Sequence, residues 1–268
     1  MLNVQNNGAE GSHPAIVCDR LSKTYDTRDG GQVRALESMD LTIGTGEFVT
    51  VVGPSGCGKS TLLKLLAGLI LRTSGTLMLS GEPIEGPRRD IGMVFQAATL
   101  LEWRTVLQNV MLPVDVLGLD RQFYRERARS LLKLVGLAGF EDKYPGELSG
   151  GMQQRVALTR GLIHNPTLLL MDEPFGALDA LTRESMNIEL QRIWMEAGKT
   201  VVLITHSISE AVFLGDRVAV MTSRPGRLAE IVQVAIPRPR TLESMGSPEF
   251  GRIVTHIRGL LNADGHLE

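Results

Sequence analysis

One stretch of this 268-residue sequence decides its fold: Gly53-Pro54-Ser55-Gly56-Cys57-Gly58-Lys59-Ser60. It follows the pattern G-x-x-x-x-G-K-[ST], in which glycines let backbone N–H groups curl around phosphate oxygens without Cβ clashes. The apolar segment Phe48–Val52 before it is typical of a buried strand, and Ser60–Leu69 after it suits a buried helix. A strand, a glycine-rich loop and a helix in this order predict a phosphate-binding loop. For the loop alone, a glycine-rich structural turn is the alternative.

The loop also supplies side chains that a bound nucleoside triphosphate needs. Lys59 is placed to reach the β- and γ-phosphates, and the Ser60 hydroxyl can ligate Mg²⁺. The helix that follows turns the positive end of its dipole toward the same anion. We therefore predict that the chain binds ATP with Mg²⁺. The predicted nucleotide-binding residues of this segment are Gly53, Pro54, Ser55, Gly56, Cys57, Gly58, Lys59, Ser60 and Thr61.

A second motif places two acids at the end of an apolar strand. Leu168–Met171 is fully apolar, as in buried parallel strands, and Asp172 and Glu173 follow it directly. Acids at strand ends are often only solvated or capping. Beside a phosphate loop, however, they complete a nucleotide hydrolase, because Asp172 would hold the Mg²⁺ shell and Glu173 would polarise the attacking water.

Strands and helices alternate along the rest of the chain, which favours an α/β fold with a mainly parallel sheet. Residues 1–13 are predicted to be a flexible tail, and residues 97–163 have the character of a helical lobe inserted into the core. Ser207 and Glu210 have the spacing of a capping box at a helix start. The other predicted strands are Ala15–Cys18, Leu36–Ile43, Thr76–Leu79, Thr200–Thr205 and a hairpin of Arg217–Met221 with Leu228–Ile236; the other predicted helices are Arg121–Val135, Met152–Ile163, Arg183–Ala197 and Phe250–Leu261.

Composition narrows the classes of partner. The formal net charge is −2, so the chain has no overall electrostatic bias toward nucleic acid, and we predict no nucleic-acid partner. Its two cysteines, Cys18 and Cys57, have no metal-ligand spacing, which favours a reduced intracellular compartment. No run of about 18 apolar residues occurs, so a membrane role would require a partner. The arginines around residues 217–240 are predicted to form a solvated face.

A third motif, Leu148-Ser-Gly-Gly-Met-Gln-Gln-Arg155, places two glycines behind a serine at a helix start, which makes another anion-binding element. With this motif the sequence resembles the ATP-binding subunit of ABC transporters over essentially its whole length. The resemblance includes Gln96 after Met93-Val94-Phe95, Gly176-Ala-Leu-Asp179 after the acids, and His206 at the end of the next strand.

The resemblance implies a P-loop NTPase core with a mainly parallel sheet, an N-terminal antiparallel β-subdomain and the inserted helical subdomain. Residues 14–268 would form a single ABC ATPase domain, with residues 237–268 as a C-terminal extension. Two such subunits would pair head to tail, so that each ATP lies between the phosphate loop of one chain and Ser149, Gly150 and Gly151 of the other.

The same resemblance implies roles for individual residues. Tyr25 would stack on adenine, with a plain surface aromatic as the alternative. Glu173, His206 and Gln96 would be catalytic, His206 by contacting the γ-phosphate. Gln96 would also join Ser60 and Asp172 around Mg²⁺ and sense the membrane partner. Asp179 would couple the two sites.

Finer features resemble the nitrate, sulfonate and taurine branch of bacterial importers. These features are Phe95–Val106, Val116–Leu119, and Ser223-Arg-Pro-Gly-Arg227 followed by Pro237–Arg240. The resemblance implies an ATPase subunit at the cytoplasmic face of the inner membrane, working with permease subunits and, through them, a solute-binding protein. Trp103 and Arg104 are candidates for the permease contact. The cargo would be a small oxyanion or sulfonate, with pyrimidine-like compounds as the alternative.

Two other functions would fit part of the sequence. A soluble ABC-type ATPase of DNA repair or ribosomes usually carries a long coiled coil or two ATP-binding units, and neither pattern occurs here. A P-loop kinase for a small molecule would explain the phosphate loop but not Leu148–Arg155.

Overall fold

The computed structural model describes residues 14–263, so the predicted tail of residues 1–13 and the last five residues lie outside the described part. Within that part the strands are β1 Ile16–Asp26, β2 Gln32–Ile43, β3 Phe48–Val52, β4 Ser74–Leu79, β5 Glu82–Pro83, β6 Ile91–Val94, β7 Leu168–Asp172, β8 Thr200–Ile204, β9 Arg217–Met221 and β10 Leu228–Gln233. The helices are α1 Lys59–Leu66, α2 Val106–Val110, α3 Leu112–Leu117, α4 Arg121–Leu134, α5 Gly150–Leu162, α6 Ala180–Ala197, α7 Ile208–Leu214, α8 Leu242–Met245 and α9 Pro248–Ala263.

A six-stranded sheet in the order β10-β9-β3-β8-β7-β6 forms the centre of the molecule. Its strands are parallel except for β10, which runs antiparallel to β9. Strands β3 and β8 are buried along their full length, as expected for continuous apolar runs covered on both faces. The predicted α/β class with a mainly parallel sheet is confirmed.

A second sheet, in the order β2-β1-β4-β5, is antiparallel and forms the N-terminal subdomain. Strands β1 and β2 extend well beyond the predicted Ala15–Cys18 and Leu36–Ile43. Irregular register after Cys18 breaks the alternation that would reveal the extension in sequence, and Arg20 there adopts a positive φ of 47°. The extension matters for the site because it carries Tyr25, which lies opposite Val33.

Helices α2 to α5 form the inserted helical lobe between β6 and β7. The predicted amphipathic helix Arg121–Val135 is confirmed as α4, whose inner face buries Ala128 and Leu132. Helices α2 and α3 were not predicted, because five and six residues are too few for a clear helical period. None of the helices described within residues 14–263 combines the length and apolarity needed to cross a bilayer.

The C-terminal part ends in α9, which extends the predicted Phe250–Leu261 at both ends. Of the two hydrogen bonds in the predicted capping box at the start of α7, one is present. The Ser207 hydroxyl accepts a hydrogen bond from the Glu210 amide at 3.3 Å. The Glu210 side chain does not complete the predicted box. It is buried instead, where it interacts with Thr205, and burial raises the pKa of its carboxyl.

Candidate nucleotide-binding site

The phosphate loop connects β3 to α1, as predicted. Gly58 caps α1 with φ 98°, a conformation that L-residues rarely adopt, and a Cβ there would lie 2.7 Å from the Ala35 carbonyl oxygen. The Lys59 ammonium donates to the carbonyls of Gly53 at 2.8 Å and Pro54 at 3.0 Å. The loop therefore curls around its own lysine, which is only 8% exposed.

A cleft of about 420 Å³ opens over this loop. The phosphate-loop residues that line it are Ser55, Gly56, Gly58, Lys59, Ser60 and Thr61. Tyr25, Val33 and Ala35 line it from the antiparallel sheet, so the structure brings Tyr25 to the loop although 28 residues separate Tyr25 from Gly53. A cleft lined by an aromatic ring and by a glycine-rich loop with a lysine suits the base and the phosphates of a nucleotide.

The two predicted acids lie at the carboxyl end of β7. Burial raises the pKa of Asp172, and the neighbouring Glu173 charge adds to this, while Lys59 opposes it. Glu173 lines the cleft and has a positive φ of 45°. Its amide donates to the Ile204 carbonyl at 2.9 Å, which holds this unusual backbone conformation against β8.

His206 follows β8, next to β7 in the sheet, and meets Glu173 directly. The Nδ1 atom of His206 lies 3.0 Å from Oε2 of Glu173. Side chains at the carboxyl ends of neighbouring parallel strands converge in this way in open α/β sheets. A contact of this length places the His206 ring against the carboxylate beside the phosphate loop.

Gln96 follows β6 at the same edge of the sheet, two residues after its end. Its side chain lies against Gly176, where an added Cβ would approach the Gln96 amide nitrogen to 3.1 Å. The preceding residue is held by the Gln154 side chain, which donates to the Phe95 carbonyl at 3.0 Å. Four parallel strands, β3, β6, β7 and β8, thus each deliver a predicted site residue to one edge.

The third motif forms the start of α5, as predicted. The Ser149 hydroxyl accepts from the Met152 amide at 3.3 Å and caps the helix, with Gly150 and Gly151 as its first residues. Asp179 caps α6 by accepting from the Thr182 amide at 3.0 Å. Hydrogen bonds from the Thr182 side chain and then from its amide lower the pKa of the Asp179 carboxyl. A Cβ on Gly151 would lie 3.3 Å from the Thr182 methyl group, so the two helix starts lie side by side.

These helix starts lie apart from the cleft of their own chain. Among residues 14–263, those that line the cleft do not include Ser149, Gly150, Gly151 or Asp179. The structure therefore assembles the phosphate loop with Tyr25 and Glu173. The helix start at Ser149–Gly151 is separate from this cleft.

The prediction of a solvated arginine face holds for Arg224 and Arg227, which are exposed. It is wrong for Arg240. Arg240 is 2% exposed and donates to backbone carbonyls around the end of α7. Arg224 lines the nucleotide cleft, which the sequence did not suggest. No local pattern distinguishes such arginines from solvated ones, because their acceptors are carbonyls distant in sequence.

Comparison with known proteins gives a consistent result. Residues 36–176 match the family model described as ABC transporter. The taurine import ATP-binding protein TauB of Jannaschia sp. is 49% identical over 245 residues, covering 90% of this chain and 91% of the relative. The nitrate import ATP-binding protein NrtC of Synechococcus elongatus is 47% identical over 239 residues, covering 88% of this chain and 36% of that longer protein.

A solved structure with the same architecture is described as a dimeric post-hydrolysis state of an ATP-binding cassette bound to ADP and Pi. It is 34% identical to this chain, superposes with a TM-score of 0.71, and the match covers 83% of this chain and 100% of the cassette.

Proposed function

This chain belongs to the ABC transporter family and is an ATP-hydrolysing member of it, and from that premise we propose that it powers import of a small oxyanion or sulfonate. The observation that carries the proposal is the convergence of the phosphate loop, Gln96, the Asp172–Glu173 pair and His206 at one edge of the parallel sheet. Relatives named for taurine and nitrate import support the class of cargo.

The phosphate end of the cleft binds the triphosphate. Backbone amides of the loop and the Lys59 ammonium neutralise the β- and γ-phosphates, and Tyr25 stacks on adenine. The hydroxyl of Ser60 and the side-chain oxygens of Gln96 and Asp172 are hard oxygen ligands, which suit Mg²⁺. Burial and the Glu173 charge raise the pKa of Asp172, and the Lys59 charge partly offsets this in favour of the ionised form that such a ligand requires. When bound, Mg²⁺ neutralises charge on the phosphate oxygens.

Glu173 accepts a proton from the water that attacks the γ-phosphate. The 3.0 Å contact with His206 orients the carboxylate for this role, and His206 in turn reaches the γ-phosphate. Both groups lie at strand ends, so the sheet holds them in position without a loop rearrangement.

The site is completed by a second copy of the chain. Ser149–Gly151 forms an anion-binding helix start that does not reach the cleft of its own chain, and it can serve only a neighbouring one. Head-to-tail pairing places this element of each copy on the γ-phosphate held by the other. Asp179, beside the same helix start, couples the two sites. The dimeric state of the related cassette supports this pairing.

A permease subunit docks on the helical lobe. A groove of about 410 Å³ beside Gln96 is lined by Phe95, Leu112 and Val116, and Val116 is 76% exposed. Trp103 is 74% exposed on the same lobe and Arg104 pairs with Asp115, so both remain candidates for the contact. The groove fits a short amphipathic helix from the permease, which places the chain at the cytoplasmic face of the inner membrane and links it to a solute-binding protein.

One experiment tests the composite site. We would determine the mass of the Glu173→Gln variant in solution with and without Mg²⁺-ATP, and expect a monomer that becomes a dimer only with nucleotide. The matched variant Glu173→Gln/Ser149→Arg should bind ATP as a monomer and fail to dimerise. An unchanged dimer in the second variant would contradict the head-to-tail arrangement.

A second experiment tests the cargo. The complex with its permease, reconstituted in vesicles, should hydrolyse ATP faster when its solute-binding protein carries taurine, another sulfonate or nitrate. If sugars or amino acids stimulated ATP hydrolysis while taurine, other sulfonates and nitrate did not, the proposed cargo class would be contradicted.

A further inference from the structure

The loop 223–227, which joins β9 to β10, packs directly against the phosphate loop. The Gly226 amide donates to the Ala35 carbonyl at 3.1 Å, and its carbonyl accepts from the Glu37 amide at 2.9 Å. A side chain at Gly226 would clash with the Cys57 carbonyl oxygen, so only glycine allows this approach. The loop 223–227 is therefore fitted to both β2 and the phosphate loop.

Two arginines of the loop make different contacts. Arg227 binds Glu37 on β2 through its Nε at 3.0 Å, and this hydrogen bond lowers the pKa of the Glu37 carboxyl. Arg224 instead donates from Nε to the Gly56 carbonyl at 3.0 Å. Arg227 thus binds a side chain of the sheet, while the Gly226 backbone bonds hold the loop itself and Arg224 reaches the phosphate loop.

The guanidinium of Arg224 borders the nucleotide cleft. It lines the cleft together with Lys59, and a Cβ on Gly56 would come within 2.9 Å of one of its terminal nitrogens. It also lines an adjoining cavity of about 620 Å³ next to His206. Within residues 14–263 the acceptor recorded for this guanidinium is the Gly56 carbonyl, bound by Nε alone. Its terminal N–H groups therefore remain available to a ligand in the cleft.

We propose that Arg224 binds the phosphate chain of the nucleotide and acts as a second cation beside Lys59. This inference rests on the proposed ATP site and adds a residue to it. A planar guanidinium forms paired hydrogen bonds with phosphate oxygens, and the Nε contact with Gly56 keeps it at the edge of the loop. The side chain is exposed, so its contribution is smaller than that of the buried Lys59.

Nucleotide titrations of three variants test the proposal. We expect Arg224→Ala to bind ATP about tenfold more weakly, a loss typical of one charge-assisted hydrogen bond. Its affinity for adenosine, which has no phosphate, should be unchanged. The ATP affinity of Arg224→Lys should lie between those of Arg224→Ala and the unchanged protein, because lysine keeps the charge but lacks the planar guanidinium. In steady state the KM of Arg224→Ala for ATP should rise. Its kcat should stay within about twofold of that of the unchanged protein, as expected for the loss of uniform binding.

Arg227→Ala is the matched control. Arg227 is an exposed arginine of the same loop, its partner is the Glu37 carboxylate, and it does not line the cleft. It should bind ATP like the unchanged protein. An equal loss in Arg227→Ala, or unchanged ATP affinity in Arg224→Ala, would overturn the inference while the ATP site stands. Failure of the unchanged chain to bind ATP would overturn the proposed function and this inference together.

Discussion

The Nδ1 atom of His206 lies 3.0 Å from Oε2 of Glu173, across the ends of the neighbouring strands β8 and β7. Glu173 reaches this position from a backbone with φ 45°, which a non-glycine residue adopts only where its surroundings fix it. The hydrogen bond from its amide to Ile204 is one such restraint. A backbone held this way beside a phosphate loop is the arrangement expected of a residue that acts on bound nucleotide.

Replacing Glu173 with Gln should separate binding from hydrolysis. The amide keeps the size of the side chain but is a far weaker base, so we expect hydrolysis to slow by about 10²–10⁴-fold. ATP affinity should stay within about threefold, because the phosphate loop is untouched. Single-turnover phosphate release measures the first quantity and equilibrium titration the second. Glu249→Gln, an exposed change on α9, is the control, and normal turnover in Glu173→Gln would remove this residue from the catalytic role.

Replacing His206 with Ala should also slow hydrolysis, because the ring positions the Glu173 carboxylate. Since the two residues act as a pair, the effects of Glu173→Gln and His206→Ala should not add in the double variant. We expect the double variant to be within about fivefold of Glu173→Gln alone. If the fold-reduction in the double variant equals the product of the two single fold-reductions, the 3.0 Å contact does not serve catalysis.

The parts of the fold that the sequence predicts best are the buried parallel strands. Phe48–Val52 and Arg217–Met221 were predicted with the observed bounds, because their apolar runs end at glycine, proline or polar residues. Strand β6 is only four residues long and contains Gly92, so no pattern marked it as a strand. Its position could be inferred only from Gln96, which follows it.

The site was predictable where residues adjacent in sequence share one function, as in the phosphate loop and the Asp172–Glu173 pair. Residues that act through tertiary contacts were not. Arg224 reaches Gly56 across 168 positions, and Gly226 is constrained by the Cys57 carbonyl. In the sequence, Arg224 and the buried Arg240 look alike, because the environment that separates them is formed only when β9, β10 and α7 assemble.

Cys57 should resist alkylation although it belongs to the phosphate loop. The side chain is buried, and burial raises the pKa of its thiol more strongly than the Lys59 charge lowers it. Little thiolate is then present at neutral pH to attack iodoacetamide. Mass spectrometry should find Cys57 modified at least about tenfold more slowly in the folded protein than in denaturant. Equal rates would mean that the thiol is accessible and that oxidation could reach the ATP site.

Replacing Gly226 with Ala should damage nucleotide binding through the backbone. The new methyl group would clash with the Cys57 carbonyl, so either the phosphate loop or the loop 223–227 must move. We expect about 2 kcal/mol of lost stability, the usual cost of overpacking, and weaker ATP binding. Gly251→Ala is the control, because it lies on exposed α9 with open space around its Cα and should be neutral or slightly stabilising. Normal ATP affinity and stability in Gly226→Ala would show that this approach of the two loops is not tight in solution.

Arg240 should be a large contributor to the stability of the C-terminal part. It is 2% exposed and donates to the carbonyls of Val212, Phe213 and Gly215, which the end of α7 leaves without helical partners. Burial lowers the pKa of the guanidinium to about 10, which keeps it charged at neutral pH. Arg240→Met retains the apolar bulk but leaves these carbonyls buried and unpaired, at a cost of about 3 kcal/mol.

For a chain of this size, that loss corresponds to a fall in Tm of roughly 6–12 °C, measurable by thermal unfolding. Arg252→Met, an exposed change on α9, should shift Tm by less than about 2 °C. ATP affinity should be retained in the folded Arg240→Met protein. The change removes contacts at the C-terminal end of α7, whereas His206 lies just before its N-terminal end. Equal Tm values for the two variants would mean that water satisfies these carbonyls and that the arginine is not needed to close α7.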